Sequence, residues 1–134
     1  MSDASRQQYL RIALIVVGVI FTFGIYPVSI LWPSGWTWGQ GHSHYLPMIL
    51  GVYATLGIFL IMASRDPARN TSLIWFTVWS SVVHALVIAV QAVVNTEHLG
   101  HLVGDVPFLL VAAAVLALLT PRGTKRAALE QGAV

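Results

Sequence analysis

The chain has 134 residues, of which 57% are hydrophobic and 9% charged, and its mean hydropathy is +0.76. A soluble domain carries roughly a quarter charged residues, so this composition excludes an ordinary water-soluble fold and indicates an integral membrane protein. With no cysteine, disulfides, thiolate metal sites, iron–sulfur clusters and covalent haem attachment are excluded too, leaving His, Asp, Glu and Met as metal ligands.

A bilayer core about 30 Å thick needs about 20 mostly apolar helical residues per crossing. Four stretches approach that length, at about residues 10–32, 46–64, 73–94 and 100–120, with 121–134 left as a cytoplasmic tail. The expected fold is all-α, a single four-span membrane bundle with both termini cytoplasmic. Span one is too long for a signal-peptide core. It ends around Tyr26, Pro27 and Trp32 with no small-x-small motif, so it reads as an uncleaved span. Loop one, "QGHSHYLPM", places His42 and His44 just ahead of span two. In span two, Gly51, Thr55 and Ile58 share a face that suits close helix packing.

Span three carries a polar row. At 100° per residue, Thr77, Ser80, Ser81, His84, Gln91, Asn95 and His98 fall in one sector about 100° wide. Lipid penalises such a face, so it is expected to point into the bundle, with His84 near mid-membrane. His84 has two readings: interhelical glue hydrogen-bonded to a Ser, Thr or Tyr, or a functional site. No acidic residue lies deep in spans one to three to form a proton relay with it; Thr22, Tyr26, Tyr53 and Thr55 are the available neighbours.

Loop three and the start of span four read "NTEHLGHLVGDVPF". From Pro107 to Thr120 a helix covers only about 21 Å, so span four is expected to begin near Leu99 or Leu102 and to kink at Pro107. In a helical turn, Glu97, His98, His101 and Asp105 share a face, with Glu97 to His101 and His101 to Asp105 each four apart. That spacing suits a carboxylate orienting an imidazole, or the two sharing a metal. Against it stand simpler roles: Glu97 as a solvated charge, Asp105 as a cap ahead of Pro107, and Gly100 and Gly104 as chain breakers.

All seven Lys and Arg residues lie in alternate segments: Arg6 and Arg11, then Arg65 and Arg69, then Arg122, Lys125 and Arg126. By the positive-inside rule these segments are cytoplasmic and loops one and three external. Trp32, Trp36, Trp38 and Tyr45 then lie at the outer boundary, and Tyr9, Trp75, Phe76 and Trp79 near the inner one, as interface anchors. The pI near 9.4 reports this topology. Without a basic patch interleaved with stacking aromatics, nucleic acid is not an expected partner. Four of the five histidines belong to the external loops. Each half of the chain is a hairpin whose second helix follows a histidine pair and then a proline, Pro47 or Pro107, a weak outline of a repeat.

The run "SRDPARNTSLIWFTVWSSVVHALVIAVQA", with "GHSHY" upstream, resembles a family of small four-helix bacterial membrane proteins of unknown function, over roughly span one to Pro121. The resemblance implies four spans in a bacterial cytoplasmic membrane. It also implies that the Arg65-Asp66-Pro67 turn, His44, His84 and Gln91 belong to a family pattern, and it brings no activity or cofactor. Small multidrug exporters are of similar size but carry a glutamate in span one, where this chain has no acidic residue. A di-iron bundle needs more carboxylates than Glu97 and Asp105.

Three readings of function follow. The first is an external metal or haem site built from His42, His44, His98 and His101 with His84 below, suited to zinc, copper or a b-type haem. The second is a non-catalytic membrane subunit that packs on itself as a homo-oligomer or on a larger membrane partner. The third is small-solute binding or passage along the polar row of span three. No catalytic constellation is present, which leans away from an enzyme. Fusing a topology reporter after Val134 should place it in the cytoplasm, and one inserted near Gly39 should be external; the reverse for both overturns the orientation.

Overall fold

The computed structural model describes residues 2–38 and 44–121. Helix α1 spans Asp3–Leu31 and α2 Tyr45–Ala63, α3 spans Thr71–Val94 and α4 Asp105–Leu119. Short 3₁₀ turns at Pro33–Gly35, Pro67–Asn70 and Thr96–Leu102 connect them. Counting the turns that lead into α3 and α4, four helices are long and apolar enough to cross a membrane. Their outer surface is apolar too, with Phe23, Trp79, Val90 and Leu118 each more than half exposed, as a lipid-contacting exterior requires. The end carrying loops one and three is called the histidine end below, and the opposite one the arginine end.

Helix α1 starts at Asp3, well before the apolar run, because the Ser2 hydroxyl accepts the Ser5 N–H at 3.3 Å and caps the first turn. It crosses α2 at two glycines. A Cβ at Gly18 would lie 2.7 Å from the Gly57 carbonyl oxygen, and one at Gly57 would collide with the Gly18 carbonyl and the Thr22 hydroxyl. Just past Gly18, α1 widens into a π-turn over Ile20–Gly24. There Thr22 donates to the Gly18 carbonyl at 2.7 Å and reaches the Ala54 carbonyl at 3.4 Å. The buried residues of α2 are Gly57, Leu60 and Ala63, all in its last turns. Its first half therefore leans away from the bundle. The expected packing face of span two is on the exterior, since Gly51, Thr55 and Ile58 are exposed and a Cβ at Gly51 would meet nothing within 4 Å.

Helices α3 and α4 form the most extensive pair. The buried residues of α3 are Ile74, Thr77, Val78, Ser81, Ala85, Ile88 and Ala92, one stripe at helical spacing. This corrects the inward-facing polar row. Thr77 and Ser81 lie in the stripe, whereas Ser80, His84 and Gln91 are displaced roughly 80–120° around the helix from its centre. Ser80 and His84 are consequently half-buried, and Gln91 and Asn95 exposed. The buried hydroxyl of Thr77 is satisfied within its own helix by the Leu73 carbonyl at 2.9 Å.

The expected kink at Pro107 is also absent. Helix α4 begins at Asp105, so Pro107 sits in the first turn, where a missing N–H costs no helical bond. The change of direction falls upstream, in the 3₁₀ segment and at Gly104. At the arginine end, the Arg6 guanidinium donates to the carbonyls of Leu118, Leu119 and Thr120 at 2.8, 3.1 and 3.0 Å. It thereby fills orphaned acceptors at the C-terminus of α4.

Gly57→Ala should destabilise the detergent-solubilised protein by about 1–3 kcal/mol, because the α1–α2 crossing has no room for a methyl group. Gly51→Ala should be close to neutral. Reversible denaturant titration checks both, and equal effects would contradict the crossing described here.

Candidate functional site

At the histidine end, the Pro33–Gly35 turn lies across the Thr96–Leu102 segment with backbone against backbone. A Cβ at Gly100 would collide with the Ser34 carbonyl, and one at Gly104 with the Gly35 carbonyl. The two glycines thus permit a close approach, beyond simply breaking the chain. This contact sets Thr37 and Trp38 over His101, whose side chain is fully buried. His101 Nδ1 lies 2.9 Å from Asp105 Oδ2, and Nε2 lies 3.2 Å from the Thr37 carbonyl oxygen. A carbonyl only accepts, so Nε2 carries a hydrogen. The Nδ1–Oδ2 contact then holds one shared proton, giving either an imidazolium–carboxylate pair or a neutral imidazole with a protonated Asp105. Trp38 stacks on the ring at 4.3 Å between centroids, 15° from parallel.

The remaining candidate residues are placed unevenly. His98 is half-buried, with its ring 4.7 Å from Trp38 and 6.1 Å from His101. His44 is exposed at the start of α2 and makes no capping bond. His42 lies outside the described residues. Glu97 is exposed. The expected shared face fails for it because this segment is 3₁₀, with His98 off helical geometry at φ −108° and ψ 18°, and 3₁₀ turns align residues three apart, not four. Asp105, expected as a cap, is the first residue of α4, one position past the N-cap Gly104. Its carboxyl turns to His101, where Oδ2 satisfies Nδ1 of a fully buried ring at 2.9 Å. Among the described residues, no three His, Asp or Glu side chains are placed to hold a metal ion.

Below the His101–Asp105 pair lies a cavity of 60 Å³, and its polar lining is Trp36, Tyr53, His84 and Asp105. Ile25, Leu46, Leu50 and Phe108 are among its apolar walls. Tyr53 and His84 meet edge to face at 5.7 Å, and Trp36 packs on Phe108 at 5.4 Å. Two buried polar atoms on residues that line this cavity have no partner: the donor Trp36 Nε1 and the acceptor Asp105 Oδ1. Leaving such atoms unpaired costs about 1–3 kcal/mol each, so the pair defines a place for a group that accepts from one and donates to the other. Sequence reasoning picked His84 and Asp105 but read Trp36 and Trp38 as interface anchors. The available signal was their spacing around Thr37, directly after the Pro-Ser-Gly turn.

A family model described as a family of unknown function (DUF6632) matches residues 4–133. No curated protein and no solved structure matches the chain.

Replacing Asp105 separates its two roles. Asp105→Asn should be nearly neutral for stability, because the amide can donate to Nδ1 of neutral His101 while its oxygen still faces the cavity. Asp105→Ala should cost about 1–3 kcal/mol by stranding a buried ring nitrogen. Thermal unfolding of both variants in detergent measures the difference, and equal losses would show that the hydrogen bond is not what stabilises this end.

Proposed function

The chain belongs to this family of unknown function, and we propose that it is a non-catalytic membrane protein that binds a small polar group in the cavity beneath its histidine end. On this reading it sits in the cytoplasmic membrane as a single four-span domain, with both termini and residues 121–134 inside and loops one and three outside. The observation that carries the proposal is the unpaired donor and acceptor, Trp36 Nε1 and Asp105 Oδ1, at one 60 Å³ cavity. His84 and Tyr53 add a titratable ring and a hydroxyl to the same walls. His101 and Trp38 support the site by fixing the Asp105 carboxyl. This is the small-solute reading of the sequence, moved from the polar row of α3 to the space between α1, α2, α3 and α4. The zinc, copper or haem reading gains no support, because both ring nitrogens of His101 already make hydrogen bonds.

A binding measurement tests the proposal. Methanol carries one donor and acceptor on a single oxygen and is small enough for the cavity. With two heavy atoms its affinity is millimolar at best. Titrated into the nanodisc-embedded protein, it should shift the Trp36 indole N–H resonance saturably while those of the other four tryptophans move little. Uniform small shifts in all of them would mean that the cavity holds only water.

A further inference from the structure

The cavity has a covered end, and on one flank it borders a groove. Toward the histidine end it is covered by the Trp36–Phe108 contact and, above that, by the stack of Trp38 on His101. The glycine contacts of Gly100 and Gly104 with Ser34 and Gly35 seal the same side. On the flank, Ile25, Leu46 and Leu50 line the cavity and also line a 400 Å³ groove between α1 and the first half of α2. That groove is lined further by Phe21, Pro47, Gly51 and Ala54, and the half-helix bordering it has no buried residue. Gly51 leaves this stretch open, with no atom near its Cβ position.

We propose that the ligand is a membrane-borne, uncharged, single-chain amphiphile, a long-chain alcohol in chemical class, which enters sideways from the lipid. Its hydroxyl accepts from Trp36 Nε1 and donates to Asp105 Oδ1, and its chain lies in the groove between α1 and α2. The inference rests on the reading of the cavity given above and adds the ligand class and the route. The hydroxyl matches the two unpaired atoms, one donor and one acceptor. An apolar chain matches a groove whose walls are almost entirely carbon and which shares three apolar side chains with the cavity. Size excludes a ring-headed lipid such as a quinol. A buried cavity that takes benzene measures about 150 Å³, and this one measures 60 Å³. A charged head finds too few partners there, because Trp36, Tyr53, His84 and Asp105 are the only polar side chains among the lining residues, and a phosphate or ammonium group away from water needs several groups of one kind.

The test uses the full chain in nanodiscs and radiolabelled 1-dodecanol, with retention compared against empty nanodiscs at equal mole fraction. Saturable excess binding is expected. It should weaken roughly tenfold in Trp36→Phe, which removes one hydrogen bond, and by at least as much in Gly51→Leu, which fills the groove without touching the polar atoms. Dodecane, lacking the hydroxyl, should show no saturable excess. Methanol binding, followed at the Trp36 N–H, should survive Gly51→Leu. If methanol binds and dodecanol shows no excess, or if Gly51→Leu leaves dodecanol unaffected, the amphiphile is overturned and the polar site stands. Equal binding of dodecane and dodecanol overturns the role of the hydroxyl and with it the proposal. If neither methanol nor dodecanol binds, both the site and the amphiphile fall.

Discussion

A buried imidazole with two nitrogens to satisfy governs the histidine end. In an apolar surrounding each unpaired nitrogen is costly, so His101 fixes its neighbours. One nitrogen requires a carbonyl at the position of Thr37, and the other requires the carboxyl of Asp105. Loop one must therefore cross loop three, which the glycines allow, and α4 must start at Asp105. The second oxygen of that carboxyl is left without a partner. The free acceptor is a consequence of the way the first oxygen is held.

The bundle is held tightly at three places and loosely at a fourth. Glycine packing joins α1 to α2 near Gly18 and Gly57, Arg6 joins α1 to the end of α4, and the His101 contacts close the histidine end. Between apolar helices in lipid there is no hydrophobic drive to association, so close contact and hydrogen bonds decide which helices stay together. The first half of α2 has little of either, only Tyr53 against Phe21 and the Thr22 contact with the Ala54 carbonyl at its end, and none of its residues is buried. The groove there is what remains when one end of a helix is pinned and the other is not.

Much of this architecture was legible in the sequence, because hydropathy needs only local composition. Four apolar runs correspond to four helices long enough to cross a membrane, and the four-residue spacing of His101 and Asp105 marked a pair that meets. What escaped was rotation and loop geometry. The polar row of span three does not face inward as a whole, because the buried stripe is centred on Ala85 and Ala92, small residues that make close helix contact and leave little trace in a hydropathy pattern. Glu97 drops out because a 3₁₀ turn replaces the α-helix on which its spacing depended. Trp36 became part of the site through a contact between distant loops, and no local pattern encodes that.

The Arg6 clasp joins positions more than a hundred residues apart, and its consequence lies in biogenesis. The guanidinium near the start of α1 meets the carbonyls of Leu118, Leu119 and Thr120, which leave the ribosome only after the fourth helix has been made. Until then α1 has its crossing with α2 but no partner for the face that later receives α4. Assembly therefore finishes at the arginine end only once translation has passed the fourth helix, and a chain stalled before that point carries a cationic side chain without its acceptors. Such an unpaired charge is a mark by which an unfinished copy differs from a finished one in the same bilayer.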